Sequence, residues 1–314
     1  MTYRYIEQAG NVYLIDTKMF GFEHFQSCFL IKGKEITLID TGVPTSIEVV
    51  RKALEKHGVA IKDISHIFIS HCEHPDHSGN AGIFLQENSK ANVYLNPIGM
   101  EYLVKPEIEA AQRNAILPPE MSARFGEMAP VPEDRIRGLH DGEVIDIGGG
   151  QTLKAIFTPG HQPSGMVLYD EKNQTLFIND LIGQYFADAD FSMILTPKRS
   201  DVGKYMASLN KIKDLPVKTL FLGHFGIYDK PAEVIRRALR LMQGLMDIGA
   251  ACMKKGKPDE IAPRVKAFVA PELEKLRKAR GQSLYQYMRD ELVASCSEAF
   301  STYYQDFYSH NPSD

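Results

Sequence analysis

The chain has 314 residues, enough for one large core or for one core with a smaller appendage. Its net charge of −4 and its 44% hydrophobic content point to a globular protein and exclude neither fold class nor enzyme, but they argue against nucleic-acid and membrane partners. Cys28, Cys72, Cys252 and Cys296 lack CxxC spacing and fit free thiols in a reducing cytoplasm better than a disulfide frame. The opening MTYRYIEQAGNVYLIDT has no basic start followed by an apolar run, and no apolar stretch approaches the roughly 20 residues of a membrane-spanning helix. A cytoplasmic protein is the expectation.

Short apolar runs at residues 12–15, 28–31 and 36–39 predict strands. The last runs into Asp40-Thr41-Gly42, a turn whose carboxylate either supports a neighbouring metal site or is an ordinary turn aspartate. Residues 46–57 read as an amphipathic helix stopped by Gly58. A β-branched run, Ile67-Phe68-Ile69, then ends in Ser70 and is followed by His71, Cys72, Glu73, His74, Asp76 and His77. A core strand has no need of such a density of metal-binding and proton-moving groups. Imidazole with carboxylate suits a borderline ion such as zinc, iron or manganese. Pro75, Ser78 and Gly79 place the cluster on a loop at the carboxyl end of a strand.

Another strand is expected at residues 93–95. Residues 96–139 are less regular, with one or two helices between 100 and 128 broken at Pro118-Pro119, forming either a wall or lid of the site or surface packing. Brief strands follow at 143–147, 153–157, 166–169 and 175–178. Gly148-Gly149-Gly150 reads as a hairpin turn, because no GK[ST] ending supports a phosphate loop. Two further strand ends carry donors, His161 in FTPGH and Asp180 in LFIND, and a strand at 219–222 closes with Gly223-His224.

The last third is helical. Asp229-Lys230-Pro231 starts a helix with the stripe Val234, Ile235, Ala238, Leu239, Met242, Leu245 and Met246. A second stripe runs Leu284, Met288, Leu292, Cys296, Phe300, Tyr303 and Phe307. The charged stretch between them reads as a solvated helix face. These helices pack on the β core, flank the site or form a homodimer face. The expected organisation is a metal domain over residues 1–230 and a helical subdomain over 231–314.

Donors at four strand ends exceed one tetrahedral site and imply two metals sharing a carboxylate, the natural role of Asp180. Two ions roughly 3.5–4 Å apart can hold the two ends of one small molecule.

With these motifs the chain resembles the metallo-β-lactamase superfamily across roughly residues 10 to 230. The family's HxHxDH loop, TPGH turn, LFxxD phrase and GH phrase correspond to the 71–77 loop, His161, Asp180 and His224. The resemblance implies an α/β (α+β) fold, an αββα sandwich, here with a C-terminal helical extension. One residue is inserted in the loop. Read from the left, His71, Glu73, Asp76 and His77 are ligands and the loop resembles the HxExDH of flavodiiron proteins; read from the right, His74 precedes Asp76-His77 and Cys72 takes the first histidine's place. LFINDLIGQ is similar to the LFSNDAFGQ phrase of the same branch.

That resemblance implies metal ligands His71, Glu73, Asp76, His77, His161, Asp180 and His224, and two metal ions, iron first, with zinc or manganese as alternatives. It implies a site that binds, senses or reduces dioxygen or a related small oxidant. No alternating βα pattern of a flavodoxin domain follows, so an external electron donor is expected. The alternative is a hydrolase of thioesters or lactones that uses a metal-bridging hydroxide, with Asp76 ligating one metal and orienting that hydroxide. FTPGHQPSG is similar to the TPGHTPG of hydrolytic members. Around the site, Cys72 is either a redox-sensitive thiol or interior packing, and His74 either a ligand or a proton donor beside the ligands. Tyr185 either donates a hydrogen bond to the bound oxidant or packs the wall.

Overall fold

The computed structural model describes residues 6–310. Its first sheet is built from β1 (Gln8–Ala9), β2 (Val12–Asp16), β3 (Ser27–Lys32), β4 (Ile36–Ile39), β5 (Ile64–Phe68), β6 (Asn92–Leu95) and β7 (Ile136–Gly138), in that spatial order. Pairing is antiparallel from β1 to β4 and parallel from β4 to β7. Parallel neighbours need crossovers, and these supply the helices. α1 (Ile47–Lys56) joins β4 to β5, while the single turn α2 (Pro75–Ser78) and α3 (Ala81–Glu87) join β5 to β6. Val50 and Leu54 of α1 and Phe84 and Leu85 of α3 bury against Leu30, Leu38, Ile67 and Val93 of the sheet. Burying such side chains stabilises by roughly 1.5–3 kcal/mol each.

β5 starts three residues earlier than the apolar run suggests, because polar Ser65 and His66 lie in it. His66 is held there by hydrogen bonds to Tyr94 and Glu35. Between β6 and β7 come three short helices rather than one or two, α4 (Met100–Val104), α5 (Pro106–Asn114) and α6 (Pro119–Phe125). Pro106 makes the extra break, since a proline is best accommodated in a helix's first turn. This region is packed polar interior in part: buried Arg113 bonds Glu109 at 2.9 Å and the Ser122 hydroxyl at 2.7 Å, tying α5 to α6.

The second sheet comprises β8 (Val144–Asp146), β9 (Thr152–Phe157), β10 (Met166–Asp170), β11 (Thr175–Ile178) and, beyond the separate hairpin β12 (Gln184–Phe186) and β13 (Phe191–Met193), β14 (Thr219–Leu222) and β15 (Ile227–Tyr228). Its order is β15-β14-β11-β10-β9-β8, antiparallel except for the β11–β14 pair. Every residue of β10 and β11 is buried, which explains their continuous apolar runs. The two sheets meet face to face: Phe29 of β3 packs on Phe177 and Phe221, at 5.8 and 5.2 Å between ring centres. The Gly148–Gly150 run is the β8–β9 turn, as expected.

The chain divides into two compact units. The first holds both sheets and runs to Phe157, then Ser164–Asn179 and Pro216–Lys230. The second comprises Thr158–Pro163, Asp180–Leu215 and the chain from Pro231 onward, so a boundary falls at residue 230 but two earlier segments group with the helices. It contains the β12–β13 hairpin, α7 (Val202–Ile212), α8 (Pro231–Lys254), α9 (Ile261–Arg280), α10 (Gln282–Tyr287) and α11 (Ala294–His310). Between α10 and α11 the residues Met288–Val293 form a π-helical stretch. Leu284, Met288, Cys296 and Phe300 of the expected stripe are buried, whereas Val293 and Tyr304 are buried in place of Leu292 and Tyr303, and Phe307 is 39% exposed. Among the described residues no helix is long and apolar enough to cross a membrane.

Candidate metal centre

In the first unit the site grows from the carboxyl ends of β4, β5 and β14. Asp40, one residue beyond β4, has φ +60, a left-handed conformation that an aspartate adopts more readily than most residues. Its Oδ1 accepts from the Ser70 backbone at 2.8 Å and its Oδ2 from the Ser70 hydroxyl at 2.9 Å. Oδ2 also lies 2.7 Å from His77 Nδ1. A carboxylate can only accept, so that contact assigns the proton to Nδ1 and leaves Nε2 as the metal-facing nitrogen. α2 is clasped from the same turn: Thr41 donates to the His77 carbonyl at 2.7 Å, and Asn80 donates to the Thr41 carbonyl at 2.7 Å. Gln26 donates to the Asp76 carbonyl.

These ties bring together His71, Asp76, His77 and His224, all buried. Asp76 Oδ1 is 3.9 Å from His71 Nε2, and its Oδ2 is 3.6 Å from His77 Nε2 and 3.8 Å from His224 Nε2. Such distances are too long for hydrogen bonds. They are close to the roughly 3.4 Å that separates two donors each about 2.1 Å from a shared ion. His71, Asp76 and His77 belong to a His/Asp cluster able to hold a metal. Gly223 is required at its rim, because a Cβ there would stand 2.8 Å from His77 Cε1.

The second unit brings His161 and Asp180 together, with Nε2 and Oδ2 2.9 Å apart. His161 Nδ1 lies 3.1 Å from the Leu195 carbonyl, an acceptor, so here too the proton sits on Nδ1 and Nε2 is the nitrogen turned to the carboxylate. The Tyr205 hydroxyl donates to the Asp180 carbonyl at 2.5 Å, and the Tyr205 ring stands edge-on to His161. Burial pushes the Tyr205 phenol well above its ordinary value, so it remains a donor.

The inserted residue of the loop has a structural expression. Glu73 is buried, with Oε1 accepting from the Ser164 backbone at 2.8 Å and Oε2 from the Ser164 hydroxyl at 2.6 Å and the Cys72 backbone at 3.2 Å. Both oxygens thus face protein donors, linking the metal loop to the segment before β10. His74 immediately precedes α2, without a side-chain hydrogen bond to its first turn, and its ring lies 5.9 Å from that of Phe125. Cys72 is wholly buried within the apolar cluster under the first sheet, and burial pushes its thiol well above the usual value. Tyr185 lies on β12 with the Arg237 guanidinium 5.8 Å from its ring.

Ser164, Tyr205, Asn80 and Gln26 serve this region without having been singled out from the sequence. Ser164 sits inside the FTPGHQPSG phrase and Asn80 inside DHSGN, so those phrases held a signal. Tyr205 lies in an ordinary amphipathic helix and offered none.

A family model described as the metallo-beta-lactamase superfamily matches residues 21–224, and the chain belongs to that superfamily. Among curated relatives, the putative diflavin flavoprotein A 1 of Nostoc sp. is 24% identical over 217 residues, covering 62% of this chain and 32% of that protein. The lactamase-like protein adaB of Aspergillus niger is 27% identical over 231 residues, covering 72% of this chain and 53% of that one. The chain therefore spans between about a third and about half the length of these relatives. A metallo-beta-lactamase family protein from Thermus thermophilus superposes with a TM-score of 0.64 at 18% identity, over 96% of this chain and 94% of that one. The chemotaxis sensor ODP, solved as a peroxy diiron species, gives 0.53 at 17% identity over 77% and 95%. A subclass B3 metallo-beta-lactamase from a soil metagenome gives 0.54 at 19% identity over 77% and 95%. These likenesses establish a metallo-β-lactamase fold.

Proposed function

We propose that His71, Asp76, His77, His161, Asp180 and His224 would hold two iron ions, and that the protein binds, senses or reduces dioxygen or a related small oxidant. The observation that carries this reading is the mixed imidazole and carboxylate donor set, with His77 and His161 each turned to present Nε2. Such a set suits a borderline ion. The choice of iron draws on the HCEHPDHSGN and LFINDLIGQ phrases and on the relative named as a diflavin flavoprotein. When bound, two iron ions supply open coordination positions and electrons for a small oxidant. The chain's own residues hold the tautomers through Asp40 and the Leu195 carbonyl, fix the Asp180 backbone through Tyr205, and anchor the loop through Glu73. Sustained reduction requires a source of electrons.

A second reading, hydrolysis of thioesters or lactones, is favoured by one observation. Glu73, the carboxylate that sets the iron-type loop apart, is engaged by Ser164 of the hydrolase-like FTPGHQPSG phrase. Elemental analysis joined to optical spectra with and without oxygen separates the two. Iron at about two per chain, with an absorption change on admitting oxygen to the ferrous protein, is the expected result. Stoichiometric zinc, no such change, and turnover of a thioester or lactone panel well above free metal would transfer the assignment to the hydrolase.

A further inference from the structure

The first unit also contains a cavity of about 310 Å3 that the metal chemistry does not use, lined by Lys18, Phe20, Thr45, Ser46, Val49 and Arg124. Its walls come from three separate segments: the loop after β2, the turn entering α1 and the end of α6. They are locked to one another. The Thr45 hydroxyl donates to the Arg124 carbonyl at 2.7 Å. Gly126, at φ +85, lets the two segments touch, since a Cβ there would lie 2.9 Å from Pro44 Cβ. The Arg124 guanidinium stacks 4.4 Å from the Phe20 ring, and Phe20 packs edge-on against Phe125 at 4.9 Å.

Two features set this cavity apart from an incidental surface hollow. Lys18 and Phe20 both hold left-handed backbone, φ +48 and +58, which costs of order 1 kcal/mol or more at each non-glycine position and tends to persist where a ligand is gripped. Every charged side chain on the lining is also a cation, namely Lys18 and Arg124. Lys18 pairs with Glu23 at 2.8 Å, but both are exposed, and such pairs contribute little, so a bound anion can share or take the ammonium. A guanidinium already flattened on an aromatic ring is oriented for planar oxygen pairs. The volume sits at the small end of the range for small-molecule pockets.

We propose that this cavity is a binding site for a small organic anion, whose carboxylate or phosphate group meets Arg124 and Lys18 while its body lies along Phe20 and Val49. Phe125 separates it from the metal loop, with its ring 4.9 Å from Phe20 and 5.9 Å from His74. The inference stands whichever metal the centre holds.

Calorimetric titration of the purified, metal-replete protein with inorganic phosphate, acetate and benzoate tests it. Saturable one-to-one binding is expected, weaker at high salt, with benzoate tighter than acetate if the aromatic wall contributes. If phosphate binds more tightly than benzoate, the site is a phosphate site; the reverse makes it a carboxylate site. Lys18→Glu and Arg124→Gln should each weaken binding roughly tenfold or more with metal content unchanged. Because Arg124→Gln could disturb α6, Val49→Trp provides an independent variant that fills the space and keeps both cations; it should abolish binding. Absence of saturable binding up to about 50 mM, or binding that all three variants retain, as an anion at the metals would show, overturns the proposal.

Discussion

The metal loop of the first unit and the His161–Asp180 pair of the second are held in physically different ways. In the loop, the anchors are side-chain carboxylates: Asp40 gathers Ser70 and His77, and Glu73 gathers Ser164 and the Cys72 amide. In the second unit the anchors are neutral, the Leu195 carbonyl behind His161 and the Tyr205 hydroxyl on the Asp180 carbonyl. Hydrogen bonds to a buried charge are roughly twice as strong as neutral ones, and leaving their partners unmatched costs more. The loop is therefore the region in which one substitution does the most, and the pair is the region that tolerates it.

The sharpest way to break that contrast is Asp40→Asn. The amide keeps the shape but places a donor or a weaker acceptor opposite His77 Nδ1, so the imidazole loses the partner that fixes its tautomer. Losing such a support typically costs 10–100-fold in metal affinity, on the order of the effect expected here. Competition against a chelator measures it. An affinity within about twofold of the wild type would mean that Asp40 shapes the turn and does not act through His77.

A smaller effect decides what Glu73 does. If it is an anchor, Glu73→Gln and Ser164→Ala should each destabilise the fold by about 1–2 kcal/mol in denaturant unfolding, with full metal content. The double variant should then cost little more than the larger single one, since both remove the same contact. If metal content falls in Glu73→Gln but not in Ser164→Ala, Glu73 is a ligand and the loop follows the flavodiiron pattern.

How much of this was legible in the sequence follows from the same distinction. The strands at Ile36–Ile39, Thr175–Ile178 and Thr219–Leu222 read directly, because each is a short apolar run stopped by a polar or glycine residue. The polar side chains at their ends, Asp40, Asp180 and His224, stand out equally, since buried His and Asp are costly unless something uses them, and all three are buried. Illegible were the contacts between residues far apart in the chain: Glu73 with Ser164 is a pairing across 91 positions, and no spacing rule announces it. The loop pattern names Glu73 but says nothing of where its oxygens turn. The π-helical stretch at Met288–Val293 was missed for a different reason, because a stripe read at constant period carries no mark of an added residue within a turn.

The smallest expected effect is on the neutral side of the comparison. Tyr205→Phe deletes one hydroxyl from a wholly buried ring and leaves the ring's edge contact with His161 intact. What is lost is a single uncharged hydrogen bond to the Asp180 carbonyl, worth about 1 kcal/mol of stability. Asp180's carboxylate and the Leu195 contact of His161 are untouched by the change, so metal affinity should stay within about threefold of the wild type. Unfolding in denaturant and chelator competition on the same samples read both quantities. A loss of metal affinity as large as that of Asp40→Asn would erase the contrast, because it would show that the Asp180 backbone, and not a carboxylate anchor, governs how tightly the centre is assembled.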